Sequence, residues 1–166
     1  MFEKLTNFID DRSVEIIKVR MYLDNNISII SNSCDSKNVL LGKIINGILS
    51  EKDGREVYLL TKNKEDLNFV SDRVKANIQN TNEALKVLKR ISNRNENNKT
   101  IVINNLEKFI NENEEFADEI IKLLRLGRAN NINIIAVMKE EHKIINSNTE
   151  LKSINVGDGR FSSIYE

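Results

Sequence analysis

A lysine at the end of a short polar segment is the feature of this sequence that most suggests chemistry. The segment Ser31–Asn38 follows the apolar run Ile27–Ile30 and precedes the apolar-periodic stretch Val39–Leu49. A strand, a tight loop and a helix in this order, with Lys37 near the loop's end, is the layout of a phosphate-binding loop, whose pattern is G-x-x-x-x-G-K-[ST]. Such a loop binds phosphate through backbone N–H groups that glycines allow to converge.

The segment departs from that pattern at every specified position except the lysine. Ser31 and Ser36 stand where glycines are required, and Asn38 stands where a hydroxyl would bind Mg²⁺. Each serine adds a Cβ where the backbone needs a positive φ or a close approach to phosphate, at a cost on the order of 1 kcal/mol or more. Lys37 leaves two interpretations open: residual binding of an anion, or a solvated lysine at a helix N-terminus.

The composition is that of one globular domain. The chain has 166 residues, of which 40% are hydrophobic and 30% charged, and its 25 basic residues balance its 25 acidic ones. A neutral chain argues against sequence-independent binding of nucleic acid. A local basic patch is the remaining possibility, at Lys86, Lys89, Arg90 and Arg94. The only cysteine, Cys34, and the only histidine, His142, exclude an internal disulfide and a zinc site of the usual type.

Short apolar runs alternate with longer stretches of helical periodicity. The runs predict strands at Ile27–Ile30, Val57–Leu60, Thr100–Ile103, Ile132–Met138, Ser153–Val156 and Phe161–Tyr165. The longer stretches predict helices at Val39–Leu49, at Asn82–Ser92 with Thr81 as N-cap, and at Glu114–Leu126. This alternation indicates a parallel sheet covered by helices on both faces. Ligands bind at the carboxyl ends of such strands, where we expect Ser31–Asn38, Asn104-Asn105 and Lys139.

Four segments, in order, resemble the FtsK/SpoIIIE family of P-loop motor ATPases. Leu126–Ile135 is similar to the family's L-x-x-x-GRAAGIHLI segment, and Ile101–Leu106 aligns with its Walker B run, hhhDEF. Asn80–Arg94 is similar to the segment that precedes Walker B, and Ser31–Asn38 corresponds to Walker A. Within the family, the sequence looks most like the last ATPase-like domain of the type VII secretion coupling ATPases, EssC/EccC.

The resemblance implies that the catalytic groups are missing. Asn104 replaces the Asp that holds the metal, Asn105 replaces the Glu that activates water, and Met138-Lys139 replaces a Thr-Gln sensor pair. An amide offers Mg²⁺ no charge and cannot accept a proton from water. We therefore expect no catalytic residue and no metal ligand. The expected nucleotide site is vestigial and non-functional, at Ser31, Ser36, Lys37, Asn38, Asn104 and Asn105.

The resemblance also implies the architecture. It predicts an α/β, RecA-like P-loop NTPase core with a mostly parallel sheet flanked by helices on both faces. The whole chain, 1–166, is expected to form a single domain with a leading segment 1–23, a core 24–140 and a divergent tail 141–166. Arg128 matches a family arginine near subunit contacts, so two roles are open: a contact with a neighbouring domain, or a surface ion pair with Glu114 or Glu115.

The function implied is that of a pseudo-ATPase domain. We expect it to recognise a secreted substrate or to regulate adjacent motor domains of a type VII secretion coupling protein, with no enzymatic activity of its own inside a parent that is an ATPase. No cofactor is expected, since binding of ATP and Mg²⁺ would be weak or absent. The expected partners are the secreted protein or adjacent ATPase domains, not nucleic acid. The expected location is the cytoplasmic face of the membrane, through a membrane-anchored parent.

Two alternatives remain at the level of the sequence. The chain is a divergent but active P-loop NTPase whose site is unusual or is completed by another subunit, or it is a module of the DNA-translocase type. Loss of activity on replacing Lys37 by Ala would favour the first alternative. A salt-sensitive interaction with duplex DNA would favour the second.

Overall fold

The computed structural model describes residues 26–31, 34–51, 54–63, 73–139, 151–157 and 160–164. For residues 31, 34–37, 151–157 and 160–164 this description covers the backbone only. The predicted leading segment 1–23 and His142 lie outside the described residues.

The described strands form one sheet in the order β3-β2-β4-β5-β1-β6-β7. All neighbouring strands are parallel except β7, which runs antiparallel to β6. The bounds are β1 Asn26–Ser31, β2 Glu56–Thr61, β3 Ala76–Ile78, β4 Lys99–Asn104, β5 Ile132–Met138, β6 Leu151–Gly157 and β7 Arg160–Ile164. The predicted, mostly parallel α/β sheet is confirmed, and the predicted tail contributes two of its strands.

Helices cover both faces of this sheet. Their bounds are α1 Cys34–Ser50, α2 Thr81–Asn93, α3 Leu106–Glu112 and α4 Glu115–Leu126, followed by a 3₁₀ turn, Gly127–Asn130. Helix α1 packs on one face, in a cluster with Ile29, Leu59 and Val137. Helices α2, α3 and α4 pack on the other, with Leu60 and Ile103. Because side chains alternate along a strand, strands buried on both faces read as continuous apolar runs, which is why they were predictable.

Two helix starts differ from the prediction. Helix α1 begins at Cys34, so the predicted loop through Asn38 is helical over its second half. No glycine interrupts this stretch, and a serine or lysine there is compatible with a helix. Helix α2 is capped by Asn80, whose side chain accepts a hydrogen bond from the backbone N–H of Glu83, so the prediction of Thr81 as N-cap is wrong.

The sequence pattern missed two short elements, β3 and α3. Strand β3 has three residues, and only Ile78 among them is buried. Helix α3 has seven residues and buries Leu106, Phe109 and Ile110. Neither is long enough to display a clear period.

No helix among the described residues is both long and apolar enough to cross a membrane.

Candidate nucleotide-binding edge

The parallel strands bring most of the predicted site residues to the side of the sheet where the strands have their carboxyl ends. We call this side the carboxyl edge. Strand β5 pairs with both β1 and β4, and its residues Met138 and Ala136 lie opposite Ile30 and Ile103. The ends of β1 and β4, Ser31 and Asn104, are therefore two strand spacings apart, roughly 10 Å. The prediction that these residues share an edge with Lys139 agrees with this register.

The junction of β1 and α1 is short. Strand β1 ends at Ser31 and α1 begins at Cys34, so Ser36, Lys37 and Asn38 all lie within the helix. Asn38 is partly buried, and its Oδ1 atom is buried without a hydrogen-bond donor among the described residues. A loop that wraps phosphate needs several consecutive non-helical residues whose N–H groups converge. The early start of α1 leaves two residues between strand and helix.

Asn104 ends strand β4, which lies next to the central strand β5, and Asn105 follows it. Asn104 is fully buried, and Asn105 is 9% exposed. Asn105 adopts a left-handed conformation, φ 60° and ψ 62°, which turns the chain directly from β4 into α3. Asparagine tolerates this conformation better than glutamate does. Asn105 therefore has a local structural reason to be asparagine, which the sequence pattern did not reveal.

Helix α3 is fastened at its N-terminal end by Glu107. The Oε2 atom of Glu107 accepts a hydrogen bond from the backbone N–H of Lys139, at 3.0 Å. Its Oε1 atom is buried and has no hydrogen-bond donor among the described residues. This contact joins the first turn of α3 to the end of β5.

The other end of α3 is fastened by Glu112. Lys62 donates hydrogen bonds to Thr81 and to Glu112, and the Thr81 hydroxyl also donates to Glu112. The ammonium of Lys62 lies 4.6 Å from the centre of the Phe109 ring, a cation–π contact. Lys62 and Thr81 together lower the pKa of Glu112. Helix α3 thus lies across the carboxyl ends of β5, β4 and β2 and is tied to residues following β5 and β2.

The opposite, amino edge carries Arg128. It is exposed in the 3₁₀ turn that precedes β5, about 20 Å along that strand from Lys139. Arg128 therefore lies far from the other predicted site residues. Glu115, one acid proposed to pair with Arg128, forms an ion pair with Lys89 at 2.7 Å. Gly127 in the same turn is a close-packing position, because a Cβ there would lie 2.9 Å from the carbonyl oxygen of Ile132.

A polar network also ties the strands together at the amino edge. Arg55 donates to the side chains of Asn131, at 2.9 Å, and Asn133, at 3.0 Å. Lys99, only 8% exposed, forms an ion pair with Glu56. This lysine lowers the pKa of Glu56. Burial lowers the pKa of Lys99, but the hydrogen bond and charge of Glu56 outweigh that effect and the pKa is raised.

The predicted basic patch is partly neutralised. Lys89 pairs with Glu115, and Arg90 pairs with Glu96 at 2.9 Å and donates to the Tyr58 hydroxyl. Charges engaged in this way contribute less to an attractive field for nucleic acid.

The polar residues that hold α3 carry no signal in the local sequence. Lys62 and Glu112 are 50 residues apart, and Glu107 and Lys139 are 32 apart, so no local pattern signals either contact. Within the described ranges, no group of three or more His, Cys, Asp or Glu side chains could hold a metal ion. The prediction that the chain has no metal site remains a prediction.

Comparisons with known proteins bear on the fold. No protein-family profile matches the sequence, and no curated protein matches it. Solved structures do match. EccC ATPases 2 and 3 from Thermomonospora curvata, in complex with a signal sequence peptide, share 12% identity over 92% of this chain and 33% of theirs, with a TM-score of 0.67. EssC ATPases 2 and 3 from Geobacillus thermodenitrificans share 11% identity over 86% of this chain and 39% of theirs, with a TM-score of 0.62.

A third match is a conjugation coupling protein. The pCW3 conjugation coupling protein TcpA, in a monomer form with ATPγS, shares 15% identity over 93% of this chain and 58% of its own, with a TM-score of 0.61. The chain has the fold of an FtsK/SpoIIIE-type P-loop ATPase domain. The resemblance predicted from four sequence segments is thus confirmed at the level of the fold. The chain spans less than two-thirds of the length of each of these structures.

Proposed function

We propose that this chain is a pseudo-ATPase domain of a type VII secretion coupling protein. It serves there to bind a secreted substrate or to regulate adjacent motor domains, and it does not hydrolyse ATP. The observation that carries this proposal is the end of β4, where Asn104 and Asn105 occupy the position in which active members carry carboxylates. Because phosphoryl transfer depends on charge placed around the phosphate and its metal, two amides there remove the main contribution of this strand.

The β1–α1 junction supports the same proposal. With α1 starting at Cys34, the backbone N–H groups of residues 38 and beyond are engaged in the helix and are not available to a phosphate. Lys37 remains as a cation within the first turn of α1. The N–H groups of residues 34–37 have no acceptor within the helix, but they do not form a loop that surrounds a phosphate, and we expect a single cation beside them to bind phosphate weakly in water because the solvent screens it.

The negative charge of Glu107 at the carboxyl edge also supports the proposal that the domain does not hydrolyse ATP. Glu107 lies in the first turn of α3 and contacts the backbone of Lys139, with one buried carboxylate oxygen. A nucleoside triphosphate entering this edge would be repelled by that carboxylate, and positions 104 and 105 offer no carboxylate to hold a Mg²⁺ ion that would offset the repulsion. We therefore expect binding of ATP and Mg²⁺ to be weak or absent.

The assignment to secretion rests on the neighbouring structures. EccC and EssC are both among the matches, and one EccC structure contains a signal sequence peptide. A secreted substrate or an adjacent ATPase domain is accordingly the partner that we propose. The proposed location is the cytoplasmic face of the membrane, reached through a membrane-anchored parent. Tandem FtsK-like domains and transmembrane helices encoded upstream of this chain would support the assignment.

The proposed lack of ATPase activity is tested by a hydrolysis assay of the unaltered chain and of a variant in which the two carboxylates are restored. We expect no steady-state release of phosphate from the chain with ATP and Mg²⁺. We also expect none from the double variant Asn104→Asp, Asn105→Glu, because the β1–α1 junction still lacks the loop. Turnover by the unaltered chain that is lost in Lys37→Ala would overturn the proposal in favour of a divergent active NTPase.

A further inference from the structure

The two outermost strands of the sheet differ in how well they are protected against pairing with another chain. An outermost strand presents a row of backbone N–H and C=O groups, and proteins commonly protect it by keeping it short or by placing lysine or proline in it. Strand β3, at one end of the strand order, has only three residues. Strand β7, at the other end, has five residues, RFSSI, with neither lysine nor proline. Among the described strands, none pairs with the outer side of β7.

The pairing of β6 with β7 determines which backbone groups of β7 point outward. Two residues separate these strands, so Gly157 and Arg160 close a hairpin and exchange hydrogen bonds. Along an antiparallel pair, residues that exchange hydrogen bonds alternate with residues that do not. The pairing continues without interruption to Ile164. The backbone N–H and C=O groups of Phe161 and Ser163 therefore point away from β6, toward the outer side of β7.

We propose that β7 pairs with β7 of a second copy of this chain, in antiparallel orientation, about a twofold axis at Ser162. In this register Phe161 of each copy exchanges backbone hydrogen bonds with Ser163 of the other. Every outward N–H and C=O group of β7 then has a partner in the second copy. Pairing shifted along the strand would leave some of these groups without a partner in the other β7. The two copies would share one continuous sheet through an interface that uses the same strand twice.

The residue types of β7 suit this pairing of the strand with itself. Ser162 lies opposite its own copy in a pair without backbone hydrogen bonds, where the Cα atoms approach most closely, to about 4.5 Å. It is small and uncharged. Arg160, the only charged residue of β7, lies opposite Ile164 of the second copy. Like charges directly opposite one another destabilise a strand pair, and this register contains none within β7.

Disulfide crosslinking of the whole chain tests the register. Cys34, the only cysteine of the chain, is first replaced by serine. In that background Ser162→Cys places two cysteines directly opposite each other, at a separation that a disulfide spans. Ser163→Cys is the matched control, because the two residues at 163 lie diagonally across the axis, about 7–8 Å apart. Under mild oxidation we expect a covalent dimer from Ser162→Cys and monomer from Ser163→Cys.

Analytical ultracentrifugation measures the same pairing without a crosslink. We expect the chain to change from monomer to dimer as its concentration is raised. Ser163→Pro removes an outward N–H group and no hydrogen bond to β6, so it should weaken the dimer by roughly tenfold or more. Ser163→Ala keeps that N–H group and should leave the dimer unchanged.

Three results would each overturn the inference: monomer at every concentration, equal crosslinking at 162 and 163, or equal dimerisation of the Pro and Ala variants. The crosslinking comparison does not depend on whether the Pro variant folds. Pairing of β7 requires no property of the nucleotide site and so goes beyond the proposed function. ATP hydrolysis by the chain would refute the proposed function and leave the dimer standing.

Discussion

The two edges of the sheet use their polar residues differently. At the amino edge, Arg55, Glu56 and Lys99 join the starts of neighbouring strands through ion pairs and hydrogen bonds. At the carboxyl edge, which in this fold holds the ligand, the buried asparagine Asn104 ends a central strand and the helix α3 lies across the strand ends.

The two edges differ in which positions carry charged side chains and in what those side chains contact. Buried and half-buried charges are retained at the amino edge, where they pair with one another and stabilise the fold. At the carboxyl edge, the end of β4 carries two amide side chains, Asn104 and Asn105, at the positions where we propose that an active relative has carboxylates. Three of the charged residues there, Glu107, Glu112 and Lys62, contact other parts of the protein and hold α3 in place.

The largest expected effect comes from removing the apolar anchor of α3. Phe109 is fully buried and stacks on Phe116 with ring centres 5.0 Å apart. Phe109→Ala should lower the free energy of unfolding by about 3–5 kcal/mol, because a large cavity forms. Urea unfolding followed by circular dichroism measures this loss. The exposed neighbour Lys108, replaced by Ala, serves as the control, and a similar loss in both variants would contradict an anchoring role for Phe109.

The next effect compares one lysine from each edge. Lys99→Met removes a mostly buried cation from between Glu56 and Glu96, so we expect a loss of about 1–2 kcal/mol. Lys62→Met removes a cation whose acidic partner, Glu112, is more than half exposed, so we expect a smaller loss. Urea unfolding of the two variants tests which of them loses more free energy of unfolding. A larger loss for Lys62→Met would mean that the ion pair at the carboxyl edge is the more important one.

A smaller effect tests the left-handed residue at the end of β4. Asn105→Glu restores the family's carboxylate but places it at φ 60°, so it should destabilise the chain by about 0.5–1.5 kcal/mol. Asn105→Gly should be nearly neutral, because glycine accepts this conformation. Thermal unfolding of the Glu and Gly variants, compared with the unaltered chain, tests both expectations. Equal stability of the Glu variant and the unaltered chain would show that this backbone geometry does not favour asparagine.

The smallest expected effect is a decrease in the free energy of unfolding at acidic pH. The pKa values of Glu56 and Glu112 are lowered in the folded chain by their lysine partners. A lowered folded pKa adds stability above the ordinary value of 4.5, and that stability is lost as the pH falls from there through the lowered value. Urea unfolding across this range should show a decline that is shallower in Glu56→Gln. An identical slope in the variant would exclude Glu56 as a contributor.

The central elements of the fold were predictable because burial on both faces leaves a local signature. The runs at β1, β2, β4 and β5 are mostly apolar, and α2 and α4 show apolar positions at helical spacing. By contrast, α3 is only seven residues long and follows an N-cap residue that makes no side-chain capping bond. Its position depends on burial of Phe109 and on contacts with distant residues, which a linear pattern does not contain.

The places of the candidate site residues in the fold were predictable, but their local backbone geometry was not. A motif comparison finds Ser31, Lys37 and Asn104 because their positions relative to the strands are regular. It does not show that α1 begins at Cys34, since without glycines the helix can extend backwards into the loop. It also does not reveal the left-handed conformation of Asn105, which depends on how β4 must turn into α3.

Isothermal titration of the folded chain with ATP and Mg²⁺ tests the central claim most directly. The account predicts no saturable heat of binding, because Ser31, Ser36, Asn104 and Asn105 stand where an active member has glycines and carboxylates. Titration of Lys37→Ala in parallel should give the same trace. Tight binding at a stoichiometry of one, abolished in Lys37→Ala and accompanied by steady hydrolysis, would contradict it.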